Sequence, residues 1–137
     1  MKLQILSKQK TMTTFLCCFF FVASFSCSSS ENNLGLDSKA WKNDLNGCKG
    51  ERLKLRSQVE ELRLKLVGLK EWNIRKLLGK PDAEELMERS QKIYIYYITP
   101  GPKCAAAPAG QTSSITEALT VRMDALGTVR EVNIFND

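Results

Sequence analysis

The stretch Gly68-Leu69-Lys70-Glu71-Trp72-Asn73-Ile74-Arg75-Lys76-Leu77-Leu78-Gly79-Lys80-Pro81-Asp82 decides the fold class. A glycine, which tolerates a left-handed backbone, opens it and ends whatever helix precedes it. Glu71 to Leu78 then carries apolar residues on one side of a short helix: Trp72 or Asn73, Ile74, Leu77 and Leu78. Gly79 is a second helix stop, and Pro81 forbids continuation while biasing Lys80 toward an extended conformation. A helix whose two exits are both fixed is a packing element placed between longer ones.

Upstream, the pattern predicts a long helix capped by Asp44 or Asn46 and running through Arg63 and Lys65. Its apolar positions are Leu45, Cys48, Leu55, Val59, Leu62, Leu66 and Leu69, the last five spaced four, three, four, three. Arg52 interrupts this stripe, and Leu53 and Leu64 fall outside it. Such a stripe is either the core-facing side of a helix or a seam between two chains. Sustained seams run three or four heptads, so the core reading is preferred and the structural oligomer built on Leu55–Leu69 is the alternative.

Downstream the period changes to two. Lys92-Ile93-Tyr94-Ile95-Tyr96-Tyr97-Ile98 is the clearest strand, rich in β-branched and aromatic residues. Glu84 to Arg89 reads equally as a short strand or a helical turn. Thr99-Pro100-Gly101-Pro102 is a turn, and a small-residue loop runs from Cys104 to Ser114. Leu119 to Met123 alternates as a strand, Asp124 to Gly127 is a hairpin connection, and Val129 to Phe135 is the last strand. In that last strand Val132 and Ile134 share one face, with Glu131, Asn133 and Phe135 on the other. The sum is an α+β domain over residues 44–137: two N-terminal helices packed on one face of a three- to four-stranded antiparallel sheet.

The N-terminal part has a different character. Lys2, Lys8 and Lys10 precede an uncharged apolar run, Phe15 to Ala23, too short for the roughly 20 residues that span a bilayer. A run of small residues follows, so residues 1–26 read as an export signal. Ser24-Phe25-Ser26-Cys27 resembles a bacterial lipobox, which makes Cys27 the candidate lipidation site and residues 27–43 a polar tether. Cys17 and Cys18 leave with the signal and Cys27 is used by the lipid. Cys48 and Cys104 then form an even pair, and in an exported chain such a pair predicts a disulfide. Closing a loop of that length contributes about 4 kcal/mol in the chain-entropy model.

Charge and composition exclude several function classes. The formal charge is +5, three of it from the lysines of the leader, so the remainder carries only +2. That near-balance argues against a nucleic-acid partner. The chain has no histidine, which removes the commonest general base and metal ligand and every Ser-His or Cys-His triad. Glu60-Glu61 and Glu84-Glu85 are adjacent carboxylates that point to different sides of a helix and have basic neighbours. Thr112-Ser113-Ser114 has no base near it in sequence. Gly79-Lys80 lacks the upstream glycine spacing of a phosphate loop and is followed by Pro81. Two thiols alone do not complete a tetrahedral metal shell. The reading is a non-enzyme with no cofactor and no metal.

The motif residues resemble a known family. Gly68-Leu69-Lys70, Ile74, Leu78-Gly79 and Pro81 are similar to the signature of SmpA/OmlA (BamE-like) lipoproteins, a glycine-led turn, a short helix and an L-G-x-P exit. Tyr94-Ile95-Tyr96-Tyr97 resembles the family's aromatic strand, and Leu119 to Asp124 with Gly127-Thr128-Val129 its closing hairpin. Lys70 stands where the family usually has a Ser or Thr helix cap. More narrowly, Asn46-Gly47-Cys48, the L-G-K-P-D exit and the Y-x-x-x-P-G-P-x-C segment resemble small lipoproteins of Bacteroidota. The resemblance implies a non-enzymatic outer-membrane lipoprotein facing the periplasm. It also implies envelope-protein partners, among them the complex that inserts β-barrel proteins, and a membrane contact through the lipid anchor. The fold class is also similar to that of β-lactamase-inhibitory proteins, whose sheet face binds protein, so an inhibitor-like binder of an envelope enzyme is a further alternative. The residues that suit such binding are exposed aromatics, and the candidate patch is Tyr94, Tyr96 and Phe135 on the sheet face away from the helices.

Overall fold

The computed structural model describes residues 33–105 and 116–136. The export signal, Cys27 and the Thr112–Ser114 segment lie outside these residues. Within them the chain is α+β, with four α-helices and one four-stranded antiparallel sheet. The helices are α1 (Ser38–Asn43), α2 (Glu51–Lys54), α3 (Arg56–Leu66) and α4 (Glu71–Leu78). The strands are β1 (Ala83–Leu86), β2 (Lys92–Tyr97), β3 (Glu117–Met123) and β4 (Val129–Asn136), in sheet order β1-β2-β3-β4. The ambiguous Glu84–Arg89 segment is both things in turn, the end of β1 and then a 3-10 turn, Glu88–Ser90, with left-handed backbone at Arg89 and Ser90.

Two sequence expectations are corrected in the N-terminal half. The ordered domain begins before residue 44, because Leu36 and Trp41 are buried in the core, Trp41 completely. A single tryptophan in a polar run supplies enough apolar area to draw the segment 36–43 onto the domain. The side chain of Asp37 accepts from the Ala40 N–H at 3.0 Å and caps α1. The second correction concerns the long helix predicted from Asp44. It is broken by a 3-10 turn at Leu45–Gly47, where Asn46 and Gly47 take positive φ, and α2 and α3 follow separately. Gly47 lies so close to the β2 exit that a Cβ there would meet the Thr99 carbonyl oxygen at 2.6 Å. Close approach of backbone to backbone ends the helix at this point.

Arg52, which looked like a flaw in the apolar stripe, is the centre of this half. Its side chain is fully buried and ion-pairs with Asp82, itself 1 % exposed. Its Nε donates to the Trp41 carbonyl at 3.1 Å and one Nη to the Tyr97 carbonyl at 3.0 Å. Its guanidinium stands 4.7 Å from the centre of the Trp41 ring. Asp82 also accepts from the backbone N–H of Asn46 and of Tyr97, each at 2.9 Å. Asp44 in turn takes the backbone N–H of Lys49 at 2.7 Å and of Arg52 at 2.9 Å. The pair therefore ties α1, the 3-10 turn, α2 and the ends of β1 and β2 together. Cys48 and Cys104 are joined in a disulfide across the same junction, with Cα atoms 5.5 Å apart.

The rest of the stripe is occupied within the chain. Val59, Leu62 and Leu66 of α3 and Ile74, Leu77 and Leu78 of α4 share one core with Tyr94, Tyr96, Leu119, Val121 and Val132 of the sheet. Leu55 and Leu69 pack partly against it. The Leu55–Leu69 stripe thus packs within the chain's own core, as the core reading expects. Lys70 makes no side-chain cap, and the start of α4 is held instead by the β3–β4 hairpin. Glu71 N donates to Gly127 O at 2.8 Å, and Gly68 N and Leu69 O pair with Val129 at 2.9 Å each.

Replacing Asp82 with Ala leaves the Arg52 charge buried without its partner. The expected loss is about 3–5 kcal/mol in urea unfolding, the range for half of a buried ion pair. Leu62→Glu is expected to unfold the chain as a monomer, with a sedimentation profile independent of concentration before unfolding.

Candidate protein-binding face

Strand register sorts the aromatic residues between the two faces of the sheet. Tyr94 sits beside Val121, which pairs with Val132, and Tyr96 beside Leu119, which pairs with Ile134. Both tyrosines are completely buried. Phe135 pairs with Ala118, which pairs with Tyr97, and is 55 % exposed. The predicted patch of Tyr94, Tyr96 and Phe135 therefore does not exist. Alternation places Phe135 on the opposite face from the other two.

Tyr94 and Tyr96 have structural partners. The Tyr96 hydroxyl donates to the Gly79 carbonyl at 3.1 Å, which fixes the exit of α4, and burial pushes its pKa up. The Tyr94 hydroxyl donates to Glu71 and accepts from Arg75 Nε at 3.1 Å, while Lys92 Nζ donates to the other Glu71 oxygen at 2.7 Å. Burial, with the Glu71 hydrogen bond, raises the Tyr94 pKa. The hydrogen bonds from Lys92 and Tyr94 hold the Glu71 carboxyl down at about 2, from an ordinary 4.5. The same bond to Glu71 raises the Lys92 pKa against the effect of burial. Burial works against the charge on Arg75, but its bonds to Tyr94 and Glu71 outweigh that and raise its pKa.

The face that remains is built from the other phase of the same strands. Its rows across the sheet are Tyr97–Ala118–Phe135, Ile95–Thr120–Asn133 and Ile93–Arg122–Glu131. Ile93, Ile95 and Tyr97 are partly exposed, and Arg122, Glu131, Asn133 and Phe135 are exposed. Neighbouring strands lie about 4.8 Å apart, so Tyr97 and Phe135 flank the small Ala118 at about 10 Å. The result is a shallow apolar trough with an aromatic residue on each bank and Ala118, 4 % exposed, buried at its floor. Arg122 and Glu131, paired at 3.1 Å, mark its polar end. At the other end Gly101 meets the Tyr97 ring, since a Cβ on it would lie 2.6 Å from the ring carbons. That contact holds one side of Tyr97, which is partly exposed.

The residues considered for chemistry do not converge. Glu60 pairs with Arg63 at 2.6 Å along α3, and Glu84 lies 3.8 Å from Arg75. Among the described residues no three His, Cys, Asp or Glu side chains approach one another closely enough to hold a metal ion, and no helix is long and apolar enough to cross a membrane. The chain matches no family model, no curated protein and no solved structure.

The Glu71 network carries a pH signature. A folded pKa of about 2 against 4.5 means that its contribution is complete above pH 4.5 and is lost as the pH falls toward 2. In urea titrations at several pH values, Glu71→Gln is expected to fall furthest below the parent at neutral pH and to converge with it at the acid end of that window.

Proposed function

We propose that this chain is a non-catalytic, protein-binding lipoprotein of the cell envelope, anchored through Cys27 and recognising its partner with the sheet face of Ile93, Ile95, Tyr97 and Phe135. In this reading α3 and α4 form a layer on the opposite face, in the two-layer manner of BamE-like and β-lactamase-inhibitory proteins. The observation that carries it is the row Tyr97–Ala118–Phe135, two aromatics flanking a small, buried residue on the face opposite Tyr94 and Tyr96, with Phe135 55 % exposed. Aromatic residues supply large contact area at little entropic cost and are the commonest interface anchors.

The lipobox-like Ser24-Phe25-Ser26-Cys27 and the lysine-only leader support the envelope location. The resemblance of Gly68–Pro81 and of the closing hairpin to SmpA/OmlA proteins supports a periplasm-facing scaffold at the outer membrane, working with β-barrel assembly components. The absence of histidine from the whole chain supports binding over catalysis.

Crosslinking in native membranes, mild-detergent extraction and mass spectrometry of co-purifying proteins test this directly. Phe135→Asp is expected to abolish capture of the specific set while leaving the unfolding midpoint within about 0.5 kcal/mol of the parent, as for other exposed positions. Leu64→Asp, on an exposed position of α3, serves as the control and retains capture. Equal capture by both variants would assign the partner to another surface. Recovery of β-barrel assembly proteins would support the scaffold role, and a reproducible set without them would move the function to a different envelope partner.

A further inference from the structure

A second surface lies on the helix side of the chain, away from the trough. Trp72 on α4 is 65 % exposed and Leu126 at the tip of the β3–β4 hairpin is 80 % exposed. Both line one open cleft of about 530 Å³ whose other walls include Lys70, Glu71, Arg75 and Lys92. The apolar side of α4 is already filled by Ile74, Leu77 and Leu78, so Trp72 contributes nothing to the core. Large side chains left in water around a cleft mark an interaction site.

The charge of the cleft selects the occupant. Three lining cations, Lys70, Arg75 and Lys92, face one lining carboxylate, Glu71; two acids flank the cleft, Glu84, 3.8 Å from Arg75, and Asp124, which accepts from the Leu126 N–H at 2.9 Å and pairs with Arg130. Both Glu71 oxygens are engaged, one by Tyr94 and Arg75 and the other by Lys92. Lys70 spends one donor on Thr128 Oγ1 at 2.6 Å. An ammonium has three donors and a guanidinium five, so each cation keeps hydrogen-bonding capacity for an anion arriving from solvent. Trp72 and Leu126 meanwhile offer two apolar walls to a neighbouring side chain.

From this we infer that the cleft between Trp72 and Leu126 docks an acidic peptide segment of a partner protein, one in which a carboxylate sits next to a large apolar side chain. The carboxylate bridges the Lys and Arg donors and the apolar group inserts between Trp72 and Leu126. This surface is independent of the sheet face, and either stands without the other.

The test uses the two indole N–H cross-peaks of the full chain in ¹⁵N-correlated NMR, Trp72 in the cleft and the buried Trp41 as an internal reference. Acetyl-Glu-Phe-Glu-amide is expected to shift the Trp72 peak saturably and leave Trp41 in place, with affinity falling as salt rises. Acetyl-Lys-Phe-Lys-amide and acetyl-Glu-Ala-Glu-amide are expected to give no saturable shift. Leu126→Ser, a fully surface change, is expected to weaken binding about tenfold, the cost of losing one anchor. No saturable Trp72 shift with the acidic aromatic peptide overturns the inference. So does an equal response to the basic peptide, or a Leu126→Ser variant that binds as the parent does.

Discussion

The buried pair of Arg52 and Asp82 is the constraint on which the N-terminal half depends. Two opposite charges taken out of water are costly unless their remaining donors and acceptors are filled. Here the backbone of three separate segments supplies partners, while one Arg52 Nη finds none. Trp41 and Tyr97 give carbonyls to Arg52, and Asn46 and Tyr97 give N–H groups to Asp82. Two of those segments, α1 and the 3-10 turn at Leu45–Gly47, are short and have little regular hydrogen bonding of their own. The ion pair is what specifies their common geometry. The Trp41 ring covers the guanidinium from one side, so the aromatic residue and the charge are placed by the same contact.

The disulfide and the Gly47 contact act at the same junction by different physics. Cys48–Cys104 limits how far the unfolded chain can spread, whereas Gly47 allows the folded backbones to approach. Together they fix where the helical half meets the far end of β2. The trough on the sheet begins at that same end, with Tyr97 held by Gly101. Rigid support behind one bank of a binding face reduces the entropy lost when a partner docks.

Local chemistry made the central elements legible in the sequence. Gly68, Gly79 and Pro81 bracket α4, and its observed span, Glu71–Leu78, is the one the pattern predicts. The last strand likewise puts Val132 and Ile134 on the core side and Phe135 on the other. What the sequence hid was long-range. Arg52 and Asp82 are 30 residues apart, so the pair looked like an interruption in one helix and a turn residue after another. Trp41 carries no periodic signal because it is a single anchor in a polar run. The tyrosines failed for a subtler reason. Period two shows that Tyr94 and Tyr96 share a face and Tyr97 the other, but not which face meets the core. The partners of that choice, Val121, Val132 and Ala118, lie on other strands.

The pairing of Gly68–Lys70 with Thr128 and Val129 sets an order in time as well as in space. A chain that emerges N-terminus first has α4 long before the hairpin that seats it. Cys48 has no partner until residue 104 is out, and the Trp41–Tyr96 contact waits nearly as long. Contacts of such high sequence separation delay folding, because loop closure must be met before any of them repays it. A chain stopped before the final strand would carry Val59, Leu62, Leu66 and Ile74 with no sheet to cover them. A cooperative fold of the described residues therefore needs the chain through its final strand.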